Sequence, residues 1–497
     1  MRPLEVLLSL ANLLTFLALV VPRLRAVPWV RFAAPASMLF CVLQVVLEGP
    51  RWQMVPAYLL SALVFLGWPL SPREGVTAKV PSLAHWFAAG TGTLVGLVWL
   101  SASVVLPLLI PVFRFPHPTG PFGIGTMTYH WVDSARAEVF TADPTDRREL
   151  MVQIWYPAPA TASGRRAPYV PHPQVLAPLA KLIRLPGFAF GYLKYVSTNA
   201  ISGADAAEGS FPVLLFSHGR GGFRQHNTAN VEELVSHGYV VATIDHPYAA
   251  SGVLFPDGRL AKFDLRMFDP GHPGHSAFID SIIPFLAQDA IFTLDRLGNI
   301  DRLDPRGILT GRLDLQHAGM FGVSLGGATT AEACLREVRL KACLMMDVFM
   351  PANVVESGLT QPAMWISRDT ASMRLEGWGQ GDIDETQRTM RAVFDRLPGD
   401  GYLVLIPGMF HPNFSDFPLF SPVTRWLHLV GPIDGRRGLT IVSAFEVAFF
   451  DRELKGQETV LLDRPTERFP EVVFEARSSR VAPRTGGSAA VGPPKVP

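Results

Sequence analysis

Cysteine is scarce in this chain. Only Cys41, Cys334 and Cys343 occur in 497 residues, which excludes a disulfide-stapled scaffold and a cysteine zinc site. Cys334 and Cys343 are near enough to pair, but the pattern reads as buried free thiols. Net charge is scarce too. With 44 Lys+Arg against 43 Asp+Glu the formal charge is +1, and no global field draws the chain to nucleic acid. No P-loop, dinucleotide fingerprint or H-E-x-x-H is present, so no cofactor and no metal is expected. His272 and His275 in DPGHPGH lack a third ligand and read as solvated loop histidines, and Arg165 and Arg166 read as a solvated pair.

Apolar residues are abundant, and unevenly so. The mean hydropathy is +0.23, and the excess sits in four runs: Pro3 to Val21, Val27 to Leu47, Trp52 to Leu70, and Trp86 to Phe113. Each approaches the ~20 residues that cross a bilayer as a helix. Trp29, Trp52, Trp68 and Trp86 fall near run ends, where interfacial tryptophans collect. No small-residue cleavage site follows the first run, which argues against a signal peptide. An all-α transmembrane region of about four helices over residues 1–113 is therefore expected. Arg23, Arg25, Arg31, Arg73 and Lys79 lie on one side of it, and Arg2, Arg51 and Arg114 on the other. Retention of positive charge in the cytoplasm then places the termini and everything after Phe113 outside it. Glu5 is the only acidic residue inside the runs and sits near an end.

Residues 114–125, RFPHPTGPFGIG, read as a linker, and the pattern then changes. MTYHWV and LMVQIWY look like an antiparallel pair. FPVLLFS, YVVATID, the run ending at Gly322, KACLMMD, PAMWISRD and GYLVLIP alternate with helical stretches. This is the signature of βαβ units and a mainly parallel sheet with helices on both faces. The expected catalytic domain runs over residues 126–476. It carries a Pro-, Ala- and Gly-rich insertion at 158–210 that can serve as a lid or rest on lipid, and a disordered tail follows at 477–497.

Within that pattern AGMFGVSLGG, Ala318 to Gly327, reads as strand, sharp turn and helix with Ser324 at the apex. A G-x-S-x-G elbow needs its glycines because strand and helix backbones come close around the serine. A serine hydroxyl is a weak nucleophile and requires a histidine base and a carboxylate that fixes the base's tautomer. His411, in the loop after GYLVLIP, is the better base; His428 lies inside WLHLV, where a packed or interfacial role is ordinary. Asp347 and Asp369 both end strands, and sequence order does not separate them, although the commoner spacing of acid and nucleophile favours Asp369. Asp416, close to His411, reads as a loop stabiliser. The oxyanion needs backbone donors. One should be the N–H of Leu325, and HGRGG, His218 to Gly222, should supply another from Gly219 or Arg220.

Taken together, GPFGIGT, LLFSHGRGGFR, LVSHGYVVATIDHP, GVSLGGAT, LMMDVFMP and FHPNFSDF resemble the platelet-activating factor acetylhydrolase family, the calcium-independent serine phospholipase A2 group. The resemblance spans Gly120 to Leu454 and leaves out the membrane region. It implies an α/β-hydrolase fold, Asp347 as the acid, His411 as the base, and Leu325 and Arg220 as oxyanion donors. Family elbows commonly read G-H-S-F-G-G, whereas Val323 and Leu325 stand here, and Arg220 stands where an apolar residue is usual. Neither departure removes a backbone donor or a triad member; both bear on substrate preference, and Arg220 can attract an anionic substrate.

The expected function is membrane-anchored hydrolysis of carboxylic esters through an acyl-enzyme, on short-chain or oxidised acyl groups of phospholipids. The expected partners are a lipid or ester substrate and the bilayer. Rival readings are a general short-chain or polyester esterase, a non-catalytic lipid-binding protein with a hydrolase-like domain, and a transport or assembly role for the helices.

Overall fold

The computed structural model describes residues 1–25, 27–67, 83–268 and 275–477. The tail beyond Arg477, His272, and the loop bearing Trp68, Arg73 and Lys79 lie outside the described residues.

Three described helices are long and apolar enough to cross a membrane: Pro3–Val20, Pro28–Glu48 and Gly90–Leu109. The third expected run forms a shorter apolar helix, Trp52–Gly67. Outward-facing Leu10, Leu39, Leu63 and Val98 are exposed, so these helices present apolar side chains on their outer faces as well as inward. Inside, the Ser37 hydroxyl donates to Asn12, and Ser61 contacts both, polar contacts of the kind that hold membrane helices together.

Glu5 is fully buried. Arg51 donates to it from Nε at 2.7 Å and Arg2 at 2.9 Å, so its charge is matched at the end of the bundle. Arg51 also donates to the Ile110 carbonyl at 2.6 Å. The stretch expected as a linker is packed rather than free. Phe115 is buried against Tyr169, as is Phe113 just before the stretch, and the Thr119 N–H donates to Glu233 at 3.0 Å.

Thirteen strands follow among the described residues. They are β1 (Gly123–Ala137), β2 (Arg147–Ala158), β3 (Arg166–Pro168), β4 (Ser197–Ser202), β5 (Phe211–Ser217), β6 (Val240–Asp245), β7 (Gly252–Leu254) and β8 (Leu260–Lys262). Then come β9 (Leu313–Val323), β10 (Leu340–Met346), β11 (Ala363–Ser367), β12 (Gly401–Leu405) and β13 (Val473–Arg477). The main sheet has the order β13-β12-β11-β10-β9-β5-β6-β2-β1-β4-β3. From β6 through β5 and β9 to β12 it is parallel; β2 and β13 pair antiparallel at the two ends of that block. The edge strand β13 has no counterpart in the sequence reading, because its VFEAR is short and almost wholly exposed.

Both faces of the sheet are covered, which is why β5 reads as an unbroken apolar run. Val213 and Leu215 join the core under the helices His275–Arg302 and Leu325–Arg336, while Leu214 and Phe216 join the core under Thr228–Ser236 and Gly435–Lys455. Cys334 and Cys343 form a disulfide, with Cα atoms 6.6 Å apart, which corrects the free-thiol expectation. The helix Leu325–Arg336 runs back over the sheet, and its last turn lies directly above the β10 residue that carries the partner sulfur.

Candidate active site

Strand order reverses around β5, whose neighbours are β6 and β9. Ligands of open α/β sheets bind at such a point, beyond the carboxyl ends of the strands. HGRGG leaves β5 there and Ser324 leaves β9 beside it.

Ser324 has φ 56, a left-handed conformation that a side-chain-bearing residue adopts only when its surroundings enforce it. They do. The Ser324 N–H donates to the Met346 carbonyl at 2.9 Å, and the glycines on either side leave no room for larger residues. A Cβ at Gly322 would lie 2.8 Å from the Ser217 carbonyl oxygen, and one at Gly326 would lie 2.7 Å from that of His218. Gly219 is constrained less severely, since a Cβ there would lie 3.2 Å from that of Ser324. The HGRGG loop thus rests on the serine.

Asp347 follows β10 directly and is itself left-handed, with φ 46. Its Oδ2 lies 2.6 Å from His411 Nδ1, and its Oδ1 accepts the Ser367 hydroxyl at 2.9 Å. Arg368 Nε lies 3.2 Å from the same Oδ1. Burial raises the Asp347 carboxyl, but the His411 bond and the Arg368 charge outweigh it and hold it below the usual range. The anion can therefore orient the imidazole.

Asp369 faces elsewhere. Its carboxylate accepts the Ser372 N–H at 3.0 Å and caps the helix Thr370–Glu376. Asp416 accepts the N–H groups of Thr228 and Ala229 at 2.7 and 3.1 Å, opening the helix Thr228–Ser236. His428 lies in an exposed apolar loop between Leu427 and Leu429.

Ser324 and His411 line one cleft of about 250 Å³, together with Gly219, Arg220 and His226. Leu176, Leu179, Ile183 and Phe190 from the insertion and Phe417 and Phe420 from the loop after His411 make the remainder apolar. His226 escaped the sequence reading, having no motif around it. Its burial, and then the neighbouring His411, push it down to about 4, so it is neutral.

The HGRGG loop is held from beneath. His218 is buried, its Nδ1 is 2.7 Å from the Gly219 carbonyl, and its Nε2 accepts the His246 N–H at 3.2 Å. Burial and then His246 drive it well below its ordinary value, so a neutral ring donates from Nδ1. The planar trans peptide puts the Arg220 N–H opposite to that carbonyl, facing away from His218. Gly221 and Gly222 direct their N–H groups to the Ala249 and Gly219 carbonyls, both at 2.8 Å, so both are already engaged within the fold.

A second Ser–His–Asp set lies deeper. The Ser217 hydroxyl is 2.9 Å from His246 Nε2, and His246 Nδ1 is 2.8 Å from Asp289. All three residues are at most 2% exposed, so no substrate reaches them. Asp289 is also paired with Arg148 and Arg136, at 2.7 and 2.8 Å. The set ties β2, β5, β6 and the helix His275–Arg302 together behind the cleft.

Comparisons with known proteins agree with this geometry. The family described as platelet-activating factor acetylhydrolase, isoform II, matches residues 110–254 and 306–464. A probable 1-alkyl-2-acetylglycerophosphocholine esterase of Arthroderma benhamiae is 25% identical over 408 residues, covering 76% of this chain and 97% of that protein. The platelet-activating factor acetylhydrolase of Cavia porcellus is 24% identical over 262 residues, 49% of this chain and 58% of that protein. A solved ferulic acid esterase from Streptomyces cinnamoneus superposes with a TM-score of 0.59 at 29% identity, covering 73% of this chain and 99% of the other. An elbow serine, a histidine held by a buried carboxylate, a glycine-rich loop between them and a family match across more than half of the chain lead to one conclusion: this chain belongs to the platelet-activating factor acetylhydrolase, isoform II family, and is a carboxylic ester hydrolase.

Proposed function

We propose that the protein is a membrane-anchored serine esterase acting on short or oxidised acyl chains of phospholipids, with Ser324, His411 and Asp347 as its triad. The observation that carries the reading is the cleft, which presents Ser324 and His411 between apolar walls of limited volume. Ser324 Oγ attacks the ester carbonyl while His411 takes its proton. Asp347 fixes the tautomer and stabilises the imidazolium. The N–H groups of Leu325, at the open first turn of its helix, and of Arg220 receive the oxyanion. His411 then protonates the leaving alcohol, and water, deprotonated by the same histidine, releases the acid.

The cleft's location supports a bilayer substrate. Trp52 donates from its indole N–H to the Ala189 carbonyl at 3.0 Å, and Phe190 is the next residue of the insertion and lines the cleft. Ser421 donates to the Leu109 carbonyl at the end of the last long apolar helix, one residue from Phe420 of the opposite wall. Both walls are thereby anchored at the same end of the helical bundle. Phe188 packs against Trp52, and Leu185, Phe188, Trp426 and Leu427, close in sequence to these anchors, are exposed, as on an interfacial surface. An extracytoplasmic orientation is supported by the disulfide, which persists in oxidising compartments. It is supported also by charge, because Arg2 and Arg51 on the domain side are paired with Glu5.

The test is hydrolysis of 1-alkyl-2-acetylglycerophosphocholine in vesicles by the full-length protein. We expect acetate release that falls ~10⁴-fold or more in Ser324→Ala. Leu185→Glu with Trp426→Glu should lower the vesicle rate about tenfold and leave p-nitrophenyl acetate hydrolysis within about twofold. Undiminished hydrolysis by Ser324→Ala rejects the mechanism, and parallel loss on both substrates rejects the bilayer reading alone.

A further inference from the structure

The triad carboxylate has a neighbour that the mechanism above does not use. Arg368 is wholly buried, and its Nε is 3.2 Å from Asp347 Oδ1, on the side of the carboxylate opposite the oxygen that holds His411. Its guanidinium lies 4.3 Å from the centre of the Trp378 ring, a cation–π contact strengthened by the lack of water. Its Nη1 is ion-paired with Glu376. Glu376 in turn accepts the backbone N–H of His411 at 3.0 Å, and the Trp378 ring stands 5.8 Å from the His411 imidazole. The three residues therefore reach Asp347 and His411 at once, from different directions.

We infer that Arg368, Glu376 and Trp378 form a positioning clamp for the Asp347–His411 pair and, through their two opposite charges, set the pH at which that pair becomes active. The inference rests on the proposed triad. Its electrostatics are direct. A buried cation beside Asp347 opposes protonation of the triad, and the Glu376 carboxylate beside the His411 backbone favours it. Arg suits the first role because it stays charged when buried. The clamp's charges cancel, leaving the triad with the single negative charge of Asp347 to match the imidazolium that forms in the transition state. The other charged or titratable groups facing His411 are Arg220 and His226 across the cleft, from the loop after β5. Asp416, on its own loop, is directed to Thr228 and Ala229.

The experiment is the pH profile of kcat/KM for p-nitrophenyl acetate with the full-length protein, whose acid limb reports protonation of the free triad. Arg368→Met removes a cation and should move that limb up by about one pH unit. Glu376→Gln removes an anion and should move it down by a similar amount. The double variant should return it to the wild-type position, and Arg368→Lys should hold it there while lowering the plateau rate by loss of the forked, stacked geometry. A purely structural role would lower rates or stability without moving the limb. Single variants whose limbs coincide with wild type, or move in the same direction, overturn the inference. Should Arg368→Met fail to fold, the partly exposed Glu376→Gln decides alone. Loss of fluorophosphonate reactivity in wild type would reject the triad instead, so the two failures are distinguishable.

Discussion

Asp347→Asn is expected to lower kcat about 10⁴-fold with the fold intact, because an amide presented to His411 Nδ1 favours the wrong tautomer. Asp369→Asn, one strand further on, is expected to leave kcat within about twofold and to cost at most ~1 kcal/mol of stability through a weaker helix cap. The contrast is informative because both aspartates end parallel strands of the same sheet, and the spacing rule alone favours the second. The structure distinguishes them by direction. Asp347 Oδ2 lies 2.6 Å from His411, whereas Asp369 turns back onto Ser372. Esterase assays on the two purified variants, with circular dichroism as the fold control, check this. Equal losses, or a larger loss for Asp369→Asn, would contradict the assignment.

The second large effect is on stability. Asp289→Ala leaves Arg148, a wholly buried guanidinium, with Glu138 as its remaining carboxylate at 2.9 Å, and strips His246 of the partner at its Nδ1. Breaking a buried pair by removing one member costs about 3–5 kcal/mol, and we expect a loss of that size in thermal or denaturant unfolding. Burial raises the Asp289 carboxyl, but Arg148 and His246 outweigh it and hold it below its ordinary value of 3.8. Its stabilisation is therefore complete at neutral pH and lost as pH falls below about 4. In Asp289→Ala the acid-dependent part of the stability curve should flatten accordingly. A variant as stable as wild type at pH 7 would show that the buried Ser–His–Asp set carries no weight in the fold.

Most of the architecture was legible because it rests on local patterns. Continuous apolar runs such as Val213 to Phe216 declare strands covered on both faces, and the glycines around Ser324 declare a turn that tolerates no side chains. His411 was reachable from its place after β12. What escaped depends on contacts remote in sequence. Arg368 meets Asp347 from the end of the neighbouring strand, and Glu376 reaches a histidine 35 residues away; neither leaves a periodic trace. Asp289 lies 141 residues from Arg148. The Pro- and Gly-rich stretch at 114–125 reads as a linker by composition, yet its Phe115 buries itself in one cluster with Tyr169 and Phe420. Composition records backbone freedom, not the partner that removes it. The disulfide escaped similarly, since the nine-residue separation of Cys334 and Cys343 acquires meaning only once a helix folds back over its neighbouring strand.

The central claim is that Ser324 is the nucleophile of a site facing outward from the membrane, and a membrane-impermeant fluorophosphonate probe applied to intact cells tests it most directly. The account predicts labelling of the wild-type protein, with the adduct on the peptide containing Ser324, and no labelling of Ser324→Ala. Labelling only after the membrane is opened would reverse the orientation and leave the chemistry standing. Labelling of Ser324→Ala at the wild-type level, or no labelling of wild type even in opened membranes, would contradict the claim itself.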